Sequence, residues 1–223
     1  MAEGKSRLIE SRKIVMEDGE GFYEEKKSRF LSELHAVHSE DEALSLVEAA
    51  KKKHYDARHH CYAFRIEEQG KMVERASDDG EPQGTAGRPI LDVLKGQEIY
   101  NALIIVTRYF GGTLLGSGGL TRAYSAAAKD SLEKSLVLSE RRGLVFDLSY
   151  PYDLAGKVEY LFRNSGGILL TKDYGSLVRI RGILPEESGR FQDELQNLSK
   201  GSLKLENAMA CSYVEKDGEG ILL

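Results

Sequence analysis

The rhythm of apolar and polar positions changes several times along the chain. Over 22–27 and 29–37 the pattern predicts two strands, the second mostly alternating. Ser39-Glu40-Asp41-Glu42 then forms a capping box. The Ser39 hydroxyl can accept from an orphan N–H, and Glu42 can reach back to the cap. Ala43, Val47 and Ala50 follow at helical spacing, which predicts a helix over 39–53. Tyr62, Phe64 and Ile66 share one face of a strand over 60–66, and 71–75 reads as its partner after a turn at Gly70. A polar, glycine-rich loop covers 77–87, and Pro89 suits the first turn of a short helix. The continuous apolar run 102–106 predicts a strand buried on both faces. A second glycine-rich loop leads into a helix over 120–136.

The pattern resets at Ser139-Glu140-Arg141-Arg142-Gly143, read as a polar hinge. Beyond it Leu144, Phe146 and Leu148 alternate as a strand. Asp153 is placed to cap a helix carrying Leu154, Val158, Leu161 and Phe162, and Gly166-Gly167 ends it. Strands over 168–172 and 177–183 turn about Gly175. A helix carries Phe191, Leu195 and Leu198, and a last strand runs over 203–214. The order is β-α-β-β-α-β, the ferredoxin-like split. The expected division is 1–140 and 141–223, within an α+β fold class.

Composition narrows the function. The chain has 223 residues, 41% of them hydrophobic, and a formal charge of -5. Such a balance argues against coating nucleic acid by charge alone, because that needs many cations facing phosphates. The charge is uneven, however: 108–142 holds six basic and three acidic residues. Any anion-binding face should include that stretch. Cys61 and Cys211 form neither a CxxC pair nor a zinc spacing, and read as reduced, buried thiols. The first residues, MAEGKSRLIESRK, show no apolar leader segment, and no run of about 18 apolar residues follows. The expectation is a soluble, cytoplasmic chain with no membrane partner.

Two loops can carry chemistry. The first, Ser77-Asp78-Asp79-Gly80-Glu81-Pro82-Gln83-Gly84-Thr85-Ala86-Gly87-Arg88, places Asp78, Asp79 and Glu81 within four positions. Oxygens so grouped can hold a hard cation such as Mg²⁺, although the spacing is not that of an EF-hand. A solvated acidic turn is the plainer reading. The second loop runs from Thr107-Arg108-Tyr109-Phe110-Gly111-Gly112 through Gly116-Ser117-Gly118-Gly119 to Thr121-Arg122. It lies between a buried strand and a helix, where unpaired N–H groups and the helix dipole attract phosphate. Glycines clear the approach, Ser117 and Thr121 add hydroxyls, and Arg108 and Arg122 add charge. A Walker A loop fails, because Ser117-Gly118 stands where Lys-[Ser/Thr] is required. A dinucleotide fingerprint fails at Thr121. Tight strand-to-helix packing over Ala126, Ala127 and Ala128 explains part of the same loop. His59-His60-Cys61 mimics a metal cluster, but only His59 and Cys61 share a side of a strand.

Taken with Lys27-Ser28-Arg29-Phe30 and Ala57-Arg58-His59-His60-Cys61-Tyr62-Ala63, these two loops resemble the IMPACT/YigZ family, over most of residues 20–135. The resemblance implies an N-terminal domain with the left-handed βαβ fold of a small-subunit ribosomal protein and of elongation factor G, followed by a ferredoxin-like domain. Eukaryotic relatives are linked to control of translation initiation through a protein partner, which they bind with an extra N-terminal domain not expected here. That partner is not carried over.

The leading expectation is a non-enzymatic, translation-associated factor that binds RNA or a ribosomal surface. Its candidate anion- or nucleic-acid-binding residues are Arg58, Arg88, Arg108, Tyr109, Gly111, Gly112, Gly116, Ser117, Gly118, Gly119, Thr121 and Arg122. Tyr109 or Phe110 can offer a ring for base stacking. No catalytic residue and no cofactor is assigned, Mg²⁺ on Asp78, Asp79 and Glu81 apart. One alternative is an enzyme acting on a phosphorylated small molecule or nucleotide through the glycine-rich loop. Another is a protein–protein adaptor.

Overall fold

The computed structural model describes residues 12–68 and 70–223. The leader-free reading of the first residues falls largely on 1–11, outside the described residues. The chain divides into two compact units, the first ending at Leu138 and the second beginning at Ser139. Both are mixed α/β.

The first unit is built on five antiparallel strands. β1 (Lys13–Glu17) stands apart from them, while β2 (Gly19–Glu25) and β3 (Ser28–Ala36) form a hairpin through Lys26 and Lys27, both at positive φ. α1 (Glu40–Lys53) follows. Its cap is as expected at Ser39, whose hydroxyl accepts from Glu42 N–H at 3.2 Å. The return bond differs: the Glu42 carboxylate accepts from His38 N–H, one residue before the cap. β4 (His59–Glu68) and β5 (Lys71–Ser77) make a second hairpin. α2 (Gly87–Gly96) starts two residues ahead of Pro89. β6 (Ala102–Tyr109) leads to α3 (Gly116–Glu133), and β7 (Leu136–Ser139) pairs with β1.

The sheet order is β2-β3-β6-β4-β5, so β6 lies at the centre between the two hairpins. That position explains its unbroken apolar run: every residue from Ala102 to Arg108 is buried. β3 and β4 both pair antiparallel with β6, and therefore run parallel to each other, joined by α1 as a βαβ crossover. On one face Phe30, Leu34, Cys61, Ile104 and Val106 pack against Ile90 and Leu94 of α2 and Leu120, Ala123, Tyr124 and Ala127 of α3. On the other, Phe64, Ile66, Leu103 and Ile105 pack against Ala43, Val47 and Ala50 of α1. Complete burial of one such Leu, Ile or Phe side chain is worth about 1.5–3 kcal/mol.

The helix expected over 120–136 begins four residues earlier and ends at Glu133. Gly116 to Gly119 are thus its first turn, not the loop before it. At the other end the chain leaves the helix for β7.

In the second unit the stretch read as a polar hinge is itself strand, with only Glu140 between β7 and β8 (Arg141–Tyr150). A short 3-10 turn (Tyr152–Leu154) precedes α4 (Ala155–Asn164). Asp153 lies inside that turn, and α4 has no side-chain cap bond, so the expected Asp153 cap is not formed. β9 (Ile168–Tyr174), β10 (Val178–Pro185), α5 (Phe191–Ser199), β11 (Glu206–Lys216) and β12 (Glu219–Leu222) complete the unit. The sheet order is β12-β11-β8-β10-β9. One face packs Phe146, Leu148 and Ile180 against Val158, Phe162, Phe191 and Leu195 of α4 and α5. The other buries Val145, Ile168, Ile183 and Tyr213. There the sheet curls until β12 touches β9, its opposite edge, with Gly220 lying over Ile168.

Close packing in the first unit can be tested at two glycines. A Cβ on Gly21 would lie 2.3 Å from Ser131 N and 2.4 Å from the Ser32 hydroxyl, where β2 meets α3. Gly21→Ala should cost about 1–3 kcal/mol as the strand and helix are forced apart. Gly96, in the last turn of α2, has nothing within 4 Å of such a Cβ. Gly96→Ala should range from neutral to about 1 kcal/mol more stable. Urea unfolding midpoints of the two variants should move in opposite directions or by clearly different amounts.

Candidate functional site

Loop 78–86, the end of β6 and the start of α3 meet on the α2/α3 side of the first sheet. Asp78 organises the loop. Its carboxylate accepts from the N–H groups of Gly84 at 2.7 Å, Ala86 at 3.0 Å and Gly87 at 2.9 Å, and so also satisfies the entry to α2. Burial raises the pKa of Asp78, but the three N–H bonds outweigh it and hold the carboxyl below its ordinary value. Asp79 ties the loop to β4: its carboxylate accepts from His60 N–H at 2.7 Å, and its carbonyl faces His59 Nδ1 at 2.8 Å.

Glu81 is the buried member. Its Oε1 accepts from Arg108 Nη1 at 2.6 Å and from the Tyr124 hydroxyl at 2.8 Å. Arg108 is only 5% exposed, on the last buried position of β6. Its Nη2 faces the Ser28 hydroxyl at 3.4 Å, and its Nε has no partner among the described residues. The Cys61 thiol sits below, 2.9 Å from the Asp78 carbonyl and 3.3 Å from the Tyr124 hydroxyl. Burial pushes both the thiol and the Tyr124 phenol up, so both keep their protons at neutral pH. Cys61 is therefore a packed thiol and not a nucleophile.

Above this floor opens a pocket of about 370 Å³. Arg58, His59, Glu81, Pro82 and Arg108 line one part, and Phe110, Leu114, Leu115, Gly116, Ser117 and Leu120 the rest. α3 begins at its wall with no side-chain cap bond and no acidic residue in the first turn. The first N–H groups of a helix have no intrahelical partner, so this end is open to an anion.

The expected anion-binding residues separate into groups. Arg58, Arg108, Gly116 and Ser117 line the pocket. Arg108 does so as a buried cation whose charge Glu81 already meets. Arg58 and Arg122 are exposed and enter no ion pair among the described residues. Arg122 and Thr121 lie outside the lining, although Arg122 Nη1 reaches back over Gly118. Arg88 is apart, on α2, paired with Asp92 at 2.9 Å. Tyr109 points to the opposite face of the sheet, where its hydroxyl meets His54 Nδ1 at 3.0 Å and Asp56 at 3.1 Å. Phe110 is the ring at the pocket, 47% exposed.

The glycines also divide. Gly111 is set by packing, since a Cβ there would lie 2.2 Å from Ser28 N. Gly112 and Gly116 are set by positive φ. Gly118 and Gly119 are helical, and around Gly118 a Cβ would meet only Arg122 Nη1 at 3.6 Å. The three acidic residues proposed to share a cation instead face separate partners: backbone N–H groups for Asp78, β4 for Asp79, Arg108 for Glu81. Among the described residues no group of three His, Cys, Asp or Glu side chains is placed to hold a metal. Nor is any described helix long and apolar enough to cross a membrane.

His59 is the pocket residue that the sequence reading weighed only as a zinc ligand. Its alternation with Cys61 placed it on the correct face, but only the fold shows that this face is the floor of a cavity.

A model of the Impact N-terminal domain matches residues 26–132, and one of a domain of unknown function, DUF1949, matches residues 148–202. The chain is 35% identical over 210 residues to the IMPACT family member YvyE of Bacillus subtilis, covering 94% of this chain and 96% of that one. The chain belongs to the IMPACT family. A second IMPACT family member, YigZ of Escherichia coli, is 35% identical over 182 residues, 81% of this chain and 89% of its own. A crystal structure described as that of a hypothetical protein is 34% identical, with a TM-score of 0.56 over 89% of this chain and 98% of its own. The Impact N-terminal match spans β3 to α3 and so contains the whole pocket.

Two measurements test the floor and the loop of this IMPACT family member. Glu81→Gln leaves the Arg108 charge buried without its partner, and should cost about 3–5 kcal/mol in urea unfolding. Glu81→Leu with Arg108→Leu should recover much of that loss. Asp78→Asn tests linkage. The folded-state pKa of Asp78 is depressed, so its contribution is complete above its ordinary value of 3.8 and fades as pH falls through and below it. The stability gap between the chain and Asp78→Asn should therefore shrink between about pH 5 and about pH 2.

Proposed function

We propose that the chain is a translation-associated regulatory factor that binds RNA or a ribosomal surface and does so without catalysis. The observation that carries this reading is the uncapped, glycine-opened start of α3 beside Arg58, with Arg122 reaching over its first turn. A phosphate there meets free N–H donors, a favourable dipole and two unpaired cations. Phe110, exposed beside it, offers a face on which a base stacks.

The fold supports the same reading. The β3-α1-β4 crossover is the unit we read as the left-handed βαβ of ribosomal-protein and elongation-factor domains. The order β8-α4-β9-β10-α5-β11, with β11-β8-β10-β9 adjacent in that sequence across the sheet, is the arrangement we read as ferredoxin-like. Such a factor works in the cytoplasm, where ribosomes are.

Filter-binding titrations with single-stranded RNA over a range of salt concentrations test the proposal. Binding should be detectable at low salt and fall as salt rises. Arg58→Ala with Arg122→Ala should weaken it for all sequences and lower the slope of log affinity against log salt by about 1 to 1.5. Arg88→Ala should leave it unchanged. No affinity at low salt, or an unchanged slope in the double variant, would overturn the assignment. A pull-down in which one protein partner survives nuclease treatment and no RNA is recovered would favour an adaptor instead.

A further inference from the structure

We infer that the pocket takes one ribonucleoside monophosphate unit and that its floor selects ribose over deoxyribose. The inference rests on the reading above, in which the start of α3 holds the phosphate, and adds what the rest of the cavity recognises.

The state of His59 comes first. Its Nδ1 lies 2.8 Å from the Asp79 carbonyl, which can only accept, so Nδ1 carries the hydrogen. With the hydrogen on Nδ1, the neutral tautomer of the ring carries its lone pair at Nε2. That nitrogen lies 3.9 Å from Glu81 Oε1, beyond hydrogen-bond distance. Two acceptors therefore face one another at the floor. Oε1 accepts from Arg108 and Tyr124, but a carboxylate has about four lone-pair sites. Arg108, also in the lining and only 5% exposed, holds its Nε buried with no partner among the described residues.

A floor with two acceptors side by side complements hydroxyl groups, which can donate to both. It does not complement phosphate, which only accepts and which Glu81 repels. The vicinal diol of ribose supplies two O–H donors side by side, one for each acceptor. Phosphate belongs with the α3 N–H groups, Ser117 and the exposed Arg58. The rest of the lining includes apolar side chains, Phe110 and Leu114, 47% and 83% exposed, and Pro82, which offer a surface for a base. At about 370 Å³ the cavity falls at the small end of the range for ligand pockets, about 300–1,000 Å³. Gly118 fits this division. It is a poor helix former at a position that neither packing nor φ reserves for glycine, and it keeps the approach to the first turn open.

The test is calorimetric titration of the full chain with a ribonucleoside 5′-monophosphate, its 2′-deoxy counterpart, the unphosphorylated nucleoside and inorganic phosphate. The ribonucleotide should bind about tenfold more tightly than the deoxynucleotide. His59→Asn keeps a donor for the Asp79 carbonyl and removes Nε2. It should bring the two nucleotides within about twofold of each other with the melting temperature unchanged. Arg58→Ala should weaken both nucleotides equally. Short RNAs ending in a 3′-hydroxyl or in a 3′-phosphate separate a free nucleotide from an RNA end: in a chain only the 3′-terminal residue keeps the diol, so only the RNA-end reading requires the 3′-hydroxyl oligomer to bind more tightly.

Equal affinity for the two sugars, or a preference that survives His59→Asn, overturns the inference. If RNA binds by filter assay while neither nucleotide binds, the ribose pocket falls and the RNA-binding function stands. If the nucleotides are discriminated while no RNA binds, the pocket stands and the RNA-binding function falls.

Discussion

The buried ion pair between Glu81 and Arg108 is the constraint around which the first unit is arranged. Removing two charges from water is costly, and the pair is retained only because hydrogen bonds surround it. Those bonds reach five separate stretches of chain. Glu81 comes from the loop after β5, Arg108 from β6, Tyr124 from α3 and Ser28 from the start of β3, and Cys61 on β4 packs beneath. A carboxylate that tethers a loop, a strand and a helix at once fixes the distance between the two glycine-rich segments. The pocket is the space that this distance leaves.

Asp78 and Asp79 do a different job with the same chemistry. Asp78 accepts three N–H groups of the loop and of the start of α2 that would otherwise be left unpaired, and Asp79 accepts one from His60 on β4. Of the three carboxylates in the loop, Glu81 is the one offset by a cation, Arg108; the N–H bonds to Asp78 hold that carboxylate in its charged form.

Much of the fold was legible in the chain. The unbroken run 102–106 marked the central strand because helices cover both faces of β6, and Ser39 marked the start of α1 because its hydroxyl does meet Glu42 N–H. Where the reading failed, tertiary packing had overruled local propensity. Gly116 to Gly119 look like a helix breaker, yet Leu120, Ala123 and Tyr124 seat α3 so firmly on the sheet that its first turn includes them. β1, β7 and β12 are only four or five residues long, too short for an alternating pattern to separate them from their neighbours. The site was half legible. Spacing could place Ser117 and the glycines at a helix start. It could not pair Glu81 with Arg108, 27 residues away, nor send Tyr109 to the far face, nor assemble His59 into the floor. Opposite charges on two loops carry no record of which of them will meet.

The strand order has a consequence for how the first unit forms. β2–β3 and β4–β5 are hairpins between neighbours in sequence, cheap in loop entropy and able to form early. Neither can join the other directly, because β6 lies between them and is the last strand of that sheet along the chain. Its pairing with β3 links residues as far apart as Arg29 and Tyr109. Contacts of such long range slow folding. The two hairpins therefore wait for one strand that wedges between them, and the same strand brings Arg108 to Glu81. Closure of the sheet and completion of the site are one event, so no species with a closed sheet and an open floor should accumulate.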